Sequence, residues 1–340
     1  MDVRAALARL AEGRDLDQQE AREVFTLVMS GEATPAQIGA LLMGFRVKGE
    51  TAAEIAGAVE TMRALSTRVE VDVPNLVDTC GTGGSGAKLF NVSTAAAFVA
   101  AAAGAHVAKH GNRKASSASG SADLLEAAGV RITLTPPQIA RCIREVGVGF
   151  LFAPAHHNAM KHAAPVRQEV GVRTMMNLLG PLTNPAGARR QLIGVFSREF
   201  QRTIAEVLSL LDAEHVLVVH SNGLDEIALD GGTRVVELKD GVIEEYEIAP
   251  EDFGLERRSR DGLRADSPAA SLALVRQSLT EPASPAADLV SLNAGAAIYV
   301  AGIAGSLSSG VALAREAIVT GSAMQRFDEL IRLTNSLEAP

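Results

Sequence analysis

A run of glycines between an apolar segment and an alanine-rich segment is the first feature with clear chemical meaning. The run begins at Gly81, and Ser93 lies near the predicted start of the helix that follows. Glycine lets the backbone approach a ligand without a Cβ in the way, and a helix N-terminus adds unpaired N–H groups and a positive dipole end. The segment therefore predicts a phosphate site. The alternative is a tight turn without a ligand, but Asn91, Ser93 and Thr94 offer more polar groups than one helix cap needs.

Two other glycine-rich patterns fit this run less well. Gly81, Gly83 and Gly86 match the dinucleotide pattern G-x-G-x-x-G, which needs an acidic residue at the end of the next strand. The next predicted strand, residues 106–108, is followed by Lys109 instead. The Gly-Lys-Ser/Thr ending of a P-loop is also absent from the run. A cation at this strand end favours phosphate over a ribose diol.

The basic loop that begins at Lys109 follows a predicted strand directly. Residues 109–114 contain three cations, an imidazole and an amide, and Ser116 and Ser117 come next. Ligands of parallel sheets bind beyond the carboxyl ends of the strands, and this mixture of donors suits a highly anionic ligand. A solvated basic loop is the alternative, although its place beside the glycine run favours binding.

Asp225 and Glu226 follow another predicted strand end and the turn at residues 221–223. Paired carboxylates suit Mg²⁺, which takes oxygen ligands and is often shared with substrate phosphates. An exposed acidic turn would be the better interpretation of the pair alone. Beside a phosphate site and a basic loop, magnesium is favoured.

A further polar group lies later in the chain. His156 and His157 have no carboxylate or cysteine at a spacing that suits a metal site. Arg167 and Asn112 could bind a small carboxylate, since a guanidinium forms two parallel hydrogen bonds to it. Residues 177–185 are rigid and rich in Gly and Pro, so they predict a fixed linker or a hinge.

Composition excludes several classes of protein. The 340 residues are 47% hydrophobic and 4% aromatic, with a formal net charge of −8, which argues against a general nucleic-acid binder. The sequence shows no long apolar span for a membrane helix and no signal-peptide pattern at its start. Cys80 and Cys142 are too few for a disulfide framework. We expect a reduced, cytoplasmic protein in which Cys80 is a small buried side chain rather than a nucleophile.

Periodicity predicts an α/β protein with a small N-terminal all-helical domain. Residues 1–66 show helical spacing and three capping boxes, which begin at Asp17, Thr34 and Thr51. Strands and helices alternate after residue 74, which predicts a mostly parallel central sheet covered by helices. Strands are expected at residues 76–79, 106–108, 130–133, 150–153, 192–196 and 215–220, and Asp240-Gly241 predicts a hairpin. The expected domains are 1–70, joined by helices from about 160–187, and 74–159 with 188–340.

Five motifs together give a specific resemblance that covers nearly the whole chain. They are Gly81-Thr82-Gly83-Gly84, Asn91-x-Ser93-Thr94, residues 109–113, residues 177–185 and Asp225-Glu226. In their order and spacing they resemble the anthranilate phosphoribosyltransferase family. The resemblance implies a helical domain, a larger α/β domain with the active site between the two, and a homodimer formed through the helical domain. It also implies Mg²⁺-dependent transfer of phosphoribose from phosphoribosyl pyrophosphate (PRPP) to the amine of anthranilate, in tryptophan biosynthesis.

The resemblance also implies site residues, with no obligatory general base among them. Those for PRPP are Gly81, Gly84, Ser85, Leu89, Asn91, Ser93, Thr94, Lys109, Asn112, Ser117 and Ser121. Those for anthranilate are Gly81, His110, Asn112, His157, Arg167 and Gly180. Those for the metal are Ser93, Asp225 and Glu226.

The chain departs from the family pattern at a few positions. Ser85 stands where an acidic residue is usual, Leu89 where a threonine is usual, Asn158 where a proline is usual and Met176 where an aromatic residue is usual. Two rival functions share parts of the pattern. One is a pyrimidine nucleoside phosphorylase, with phosphate in the glycine run, and the other is a catalytically silent relative that binds nucleic acid. The basic motif at 109–113 and the Asn184-Pro185 ending favour the transferase over the first, and the net charge argues against the second.

Overall fold

The computed structural model describes residues 1–83, 86–113 and 119–338. Its α-helices are α1 (Val3–Ala11), α2 (Gln18–Ser30), α3 (Pro35–Lys48), α4 (Ala52–Ala64), α5 (Val92–Ala102), α6 (Ser121–Ala127), α7 (Pro136–Val146), α8 (Ala153–His156), α9 (Ala164–Val170), α10 (Leu179–Leu182), α11 (Phe200–Leu210), α12 (Pro268–Thr280), α13 (Pro285–Val300), α14 (Leu307–Val319) and α15 (Ser322–Ser336). Its strands are β1 (Leu76–Gly81), β2 (His106–Gly111), β3 (Val148–Phe152), β4 (Arg190–Gly194), β5 (His215–His220), β6 (Thr233–Lys239) and β7 (Val242–Ile248). Among these helices, none is long and apolar enough to cross a membrane.

The predicted helix starts in the N-terminal part are confirmed. Asp17, Thr34 and Thr51 each accept a hydrogen bond from the third residue of a helix, whose side chain bonds back to the cap. Pro35 takes the first position of α3, where its missing N–H leaves no bond unmade. Local sequence therefore sets where α2, α3 and α4 begin.

The seven strands form one sheet in the order β3-β2-β1-β4-β5-β6-β7. Strands β1 to β5 are parallel, and β6 and β7 add an antiparallel ribbon at one edge. The predicted hairpin is confirmed, with Asp240 and Gly241 both at positive φ, as a type I′ turn requires. Because β1 lies between β2 and β4, the chain changes direction across the sheet at β1. Ligands of open α/β sheets bind at such a point.

The two faces of the sheet belong to two different cores. Leu192 and Leu217 pack with helices α5 and α13 in the larger core. Ile193 and Val216, which are their chain neighbours, pack with α11 and the N-terminal helices. This alternation follows from the period of two along a strand. The helical domain therefore shares a core with one face of the sheet, and the division of the chain at residues 70, 160 and 187 stays a prediction.

The predicted strand at residues 130–133 is wrong. Val130 and Ile132 are buried in the larger core, but their segment pairs with no strand in the described part of the chain. The backbone N–H of Arg131 instead donates to the hydroxyl of Thr334 on α15, and the Val130 N–H donates to Leu125 in α6. Alternating burial here comes from contact with helices, and sequence alternation alone does not distinguish the two situations.

Candidate functional site

A cleft of about 480 Å³ lies at the carboxyl ends of the central strands. It is lined by Cys80, Gly81, Thr82, Gly83, Gly86, Lys88, Leu89, Phe90, Asn91, Ser93, Lys109, His110, Gly111, Asn112, Arg113, Ser119, Gly120, Ser121, Arg167, Arg173, Asn177, Phe196, Asp225 and Glu226. The fold thus brings together the ends of β1, β2 and β4, the start of α5, and a segment next to the helical domain. This is the place that the strand-end rule predicts for a ligand.

The glycines of β1 and β2 allow backbone to approach other parts of the site closely. A Cβ on Gly81 would lie 2.8 Å from Oδ2 of Asp225, and one on Gly111 would lie 2.1 Å from Oγ of Ser121. Both distances are shorter than real Cβ contacts. Glycine at these positions therefore leaves room for the Asp225 carboxylate and the Ser121 hydroxyl, which sequence spacing alone did not indicate.

The helix that follows the glycine run is α5, and its first turn faces the cleft. Asn91 precedes α5 but does not cap it with its side chain. Its amide instead donates to the Ser119 carbonyl (3.2 Å) and accepts from the Ser271 hydroxyl (2.7 Å). The Asn91 backbone N–H also donates to that hydroxyl. Ser271 on α12, which is wholly buried, thus fixes the Asn91 amide and was missed by sequence reasoning.

Lys109 is buried, at 3% exposure, and its ammonium group points across the end of β1. Nζ donates to the backbone carbonyl of Thr79 and, at 3.3 Å, to Oγ of Ser93. Burial lowers the pKa of Lys109, and the nearby carboxylate of Asp78 opposes this shift. The predicted cation therefore faces the first turn of α5 in a place with little water.

The acidic pair lies on the same side of the cleft. Burial and the neighbouring carboxyl of Asp225 raise the pKa of Glu226 to about 8, against the opposing effects of Lys109 and the Ser93 backbone. The Ser221 hydroxyl donates to the Glu226 carbonyl at 2.9 Å. Asp225 and Glu226 are both half-buried, and a nearby cation would favour the charged form of both carboxyl groups. The residues therefore fit a divalent cation that is bound by two carboxylates and substrate oxygens, and no larger His/Cys/Asp/Glu cluster occurs in the described ranges.

The other side of the cleft carries imidazole, amide and guanidinium groups. His110 is buried, and burial together with His157 lowers its pKa to about 3. Burial together with His156 lowers the pKa of His157 to about 4. The His110 and His157 rings meet edge to face with their centroids 5.2 Å apart. Both rings are therefore neutral near pH 7, and Arg167, which is half-buried, contributes a positive charge on this side.

Most described residues of the predicted site line the cleft. These are Gly81, Leu89, Asn91, Ser93, Lys109, His110, Asn112, Ser121, Arg167, Asp225 and Glu226. Thr94, His157 and Gly180 lie outside the lining. Thr94 is buried in α5, His157 stands behind His110, and nothing lies within 4 Å of a Cβ position on Gly180.

Three further predicted residues, Gly84, Ser85 and Ser117, fall outside the described residues. Arg113, a cation of the basic loop, lines the cleft, and its guanidinium also pairs with Glu126 and Asp123 of α6. One other expectation needs correction. Cys80 is half-buried at the cleft rather than in the core.

Sequence reasoning missed Arg173 and Phe196. The guanidinium carbon of Arg173 lies 3.8 Å from the centroid of the Phe196 ring, and both residues line the cleft. The Phe196 N–H donates to the Thr82 hydroxyl at 3.2 Å, which joins the end of β4 to the glycine run. The position of Phe196 just after a parallel strand was the signal that could have identified it.

Comparison with known proteins defines the class first. Residues 4–66 match the helical bundle domain of a glycosyl transferase family, and residues 73–324 match the a/b domain of such a family. The chain belongs to this family of two-domain glycosyl transferases.

Individual relatives then narrow the family. The chain is 55% identical over 343 residues to an anthranilate phosphoribosyltransferase of Cellvibrio japonicus, which covers 99% of this chain and 100% of the relative. It is 46% identical to the crystal structure of anthranilate phosphoribosyltransferase (TrpD) from Thermus thermophilus, with a TM-score of 0.92 and coverage of 97% and 99%. A Saccharomyces cerevisiae enzyme of the same name, in complex with PRPP and Mg, shares the fold at 24% identity, a TM-score of 0.89 and 98% coverage of each chain. The chain belongs to the anthranilate phosphoribosyltransferases.

Proposed function

We propose that this cleft transfers the phosphoribosyl group of PRPP to the amine of anthranilate. The products are N-(5-phosphoribosyl)anthranilate and pyrophosphate, in L-tryptophan biosynthesis. The observation that carries the proposal is one cleft with two chemically different sides. A glycine segment, a helix N-terminus, Lys109 and two carboxylates stand on one side, and Arg167 with Asn112 and a neutral His110 stands on the other.

The side with the glycine segment, Lys109 and the two carboxylates, called here the phosphate side, binds PRPP. It stabilises the charge that develops on pyrophosphate as it leaves. Lys109 supplies a fixed positive charge in a nearly dry place, where electrostatic stabilisation of a transition state is strong. The first-turn N–H groups of α5 add to it. We assign to PRPP the residues Gly81, Gly84, Ser85, Leu89, Asn91, Ser93, Thr94, Lys109, Asn112, Ser117 and Ser121.

Ser93, Asp225 and Glu226 are the residues that would hold Mg²⁺. When bound, the ion supplies positive charge to the pyrophosphate oxygens. The two carboxylates hold their place through backbone contacts, because the Glu226 carbonyl accepts from Ser221 and Asp225 packs against Gly81. Lys109 favours the charged form of Glu226 and so lowers its pKa in part.

The side with Arg167, Asn112 and His110, called here the amine side, binds and orients anthranilate. We assign to it Gly81, His110, Asn112, His157, Arg167 and Gly180. Arg167 and Asn112 bind the carboxylate, and His110 lies beside them as a neutral imidazole. The aromatic amine already has a lone pair, so the reaction needs positioning rather than a strong base. Exclusion of water protects the ribosyl group from hydrolysis.

The direct test is to identify the product. Purified protein is incubated with PRPP, anthranilate and Mg²⁺, and the mixture is analysed by mass spectrometry and by a pyrophosphate assay. We expect phosphoribosyl anthranilate and pyrophosphate in equal amounts, with none of either when PRPP is omitted. Cleavage of uridine or thymidine by phosphate, without the anthranilate product, would support the nucleoside phosphorylase instead.

We also infer a homodimer through the helical domain. Val47 and Met43 on α3 are exposed, Val47 to 81%, and two such helices could cover each other's apolar side chains.

The cysteines Cys80 and Cys142 are free, which supports the reducing cytoplasm as the location of the protein.

A further inference from the structure

Strands β1 and β2 separate before they end. β1 pairs with β2 at Leu76 and Val77 only, whereas it pairs with β4 as far as Gly81. β2 pairs with β3 as far as Gly111. Backbone groups that face such an opening need other partners, because buried N–H and C=O groups are destabilising when unpaired. The sheet is thus split at the edge that forms the cleft.

Two buried side chains bridge this split. The carboxylate of Asp78, at 0% exposure, accepts a hydrogen bond from the His110 N–H (3.2 Å) and another from Nδ2 of Asn184 (2.7 Å). The same Nδ2 donates to the Ala108 carbonyl at 2.8 Å. The backbone groups on either side of Lys109 are therefore held by side chains instead of by a strand ladder.

Lys109 lies in the opening that these bonds maintain. Its Nζ reaches across to the Thr79 carbonyl and to the Ser93 hydroxyl. Its neighbour His110 faces the amine side, against His157. The position of one short stretch of β2 therefore sets groups on both sides of the cleft.

Asn184 also joins this stretch to the helical domain. Its Oδ1 accepts from the Ala186 N–H at 2.9 Å, so all the polar groups of its side chain are used. Two residues earlier, the Leu182 carbonyl accepts from Nε of Arg63 on α4 at 2.8 Å. The segment at 177–185 is thus fixed to α4 at one point and to the end of β2 at the next.

We infer that Asp78 and Asn184 act as one positioning pair, which holds the split between β1 and β2 in the shape that brings Lys109 to the pyrophosphate group. The pair touches no substrate, and its effect passes through the β2 backbone. This inference rests on the proposed function, because it takes pyrophosphate as the group that Lys109 meets.

Two isosteric substitutions test the pair. Asp78→Asn places an amide donor against the Asn184 amide, and Asn184→Asp places two carboxylates side by side. The double variant restores one amide and one carboxylate, but it lacks the donor to the Ala108 carbonyl. Calorimetry measures binding of inorganic pyrophosphate with Mg²⁺ to each folded protein. We expect each single variant to bind about tenfold more weakly and the double variant to recover part of the loss.

Gln201→Met is the matched control. Gln201 is a buried amide that donates to the Val218 and Arg234 carbonyls, both at 2.8 Å, and none of these residues lines the cleft. We expect it to lower the melting temperature and leave pyrophosphate affinity unchanged. If either single variant does not fold, Asn184→Ser is measured instead. It should also bind pyrophosphate more weakly than the parent protein.

Parent affinity in the folded single variants would overturn the inference, and so would a double variant whose loss equals the product of the single losses. Pyrophosphate binding requires no acceptor molecule. A parent protein that binds pyrophosphate but makes no phosphoribosyl anthranilate would therefore contradict the proposed function and leave this comparison valid.

Discussion

Lys109 carries its charge in a place that water hardly reaches, and it shares that place with a carboxyl whose pKa is about 8. Burial disfavours the charged form of each group, and the nearby opposite charge favours it. This balance suits a site that receives several negative charges at once together with a cation. The amine side is different, because His110 and His157 are neutral there and Arg167 supplies a positive charge.

Arg167 allows a clear test of this side. Replacing Arg167 by Ala removes the guanidinium proposed to bind the anthranilate carboxylate, so the KM for anthranilate should rise by about 10- to 100-fold, as expected for a lost charge-assisted hydrogen bond. The KM for PRPP should change little. Arg167→Lys should recover only part of the loss, since an ammonium does not form the two parallel bonds. Steady-state kinetics with each substrate varied in turn will measure both constants. Equal losses for both substrates would contradict the assignment.

Single elements position these groups through contacts that are distant in sequence. Gly194 ends β4, and a Cβ there would lie 1.7 Å from the Asp225 carbonyl oxygen. Asn293 of α13 holds the next turn, because its side chain bonds both the N–H and the carbonyl of Ile227. The segment that carries Asp225 and Glu226 is thus held between a strand end and a buried helix.

Gly194→Ala should push this segment out of place. We expect a loss of about 1–3 kcal/mol in the free energy of unfolding, as for overpacking, and a higher Mg²⁺ requirement in the folded variant. The control is Gly231→Ala, which has open space and no positive φ and should change stability by less than about 0.5 kcal/mol. Urea unfolding and Mg²⁺ titration of activity measure the two effects. An unchanged Mg²⁺ requirement would argue against the role given to Gly194.

The elements also show how far the sequence could be interpreted. Capping boxes identified α2, α3 and α4, and short apolar runs followed by polar residues identified the parallel strands and the strand ends that form the cleft. The strand prediction for residues 130–133 is wrong because the alternating side chains of this segment pack on helices. Phe196, Ser271 and Asn184 were missed as site groups because their roles arise from contacts with residues far away in sequence, and a local pattern does not show such contacts.

At the scale of the whole molecule, the helical domain does two things. It shares a core with one face of the sheet, and α3 leaves apolar side chains exposed. The first fixes one side of the cleft, and the second supports the proposed dimer.

Val47→Asp tests the dimer. The change places a charge on the exposed apolar side of α3, so light scattering at micromolar protein should show a lower mass than the parent dimer, because a buried charge without a partner is destabilising. Val319→Asp is the matched control, since Val319 is also exposed, to 67%, but lies on α14 far along the chain. We expect it to keep the parent mass. A parent protein that is monomeric at these concentrations would refute the proposed dimer.

The most direct test of the central claim is the fluorescence of anthranilate during turnover. With PRPP and Mg²⁺ the signal should fall as anthranilate is consumed, and chelation of the metal should stop the fall. Asp225→Asn keeps the shape of the side chain and removes its charge, so it should require more Mg²⁺ and reduce turnover by about 100-fold, the size expected when charge stabilisation is lost. Consumption of anthranilate that is independent of PRPP, or equal in parent and variant at every Mg²⁺ concentration, would contradict the account.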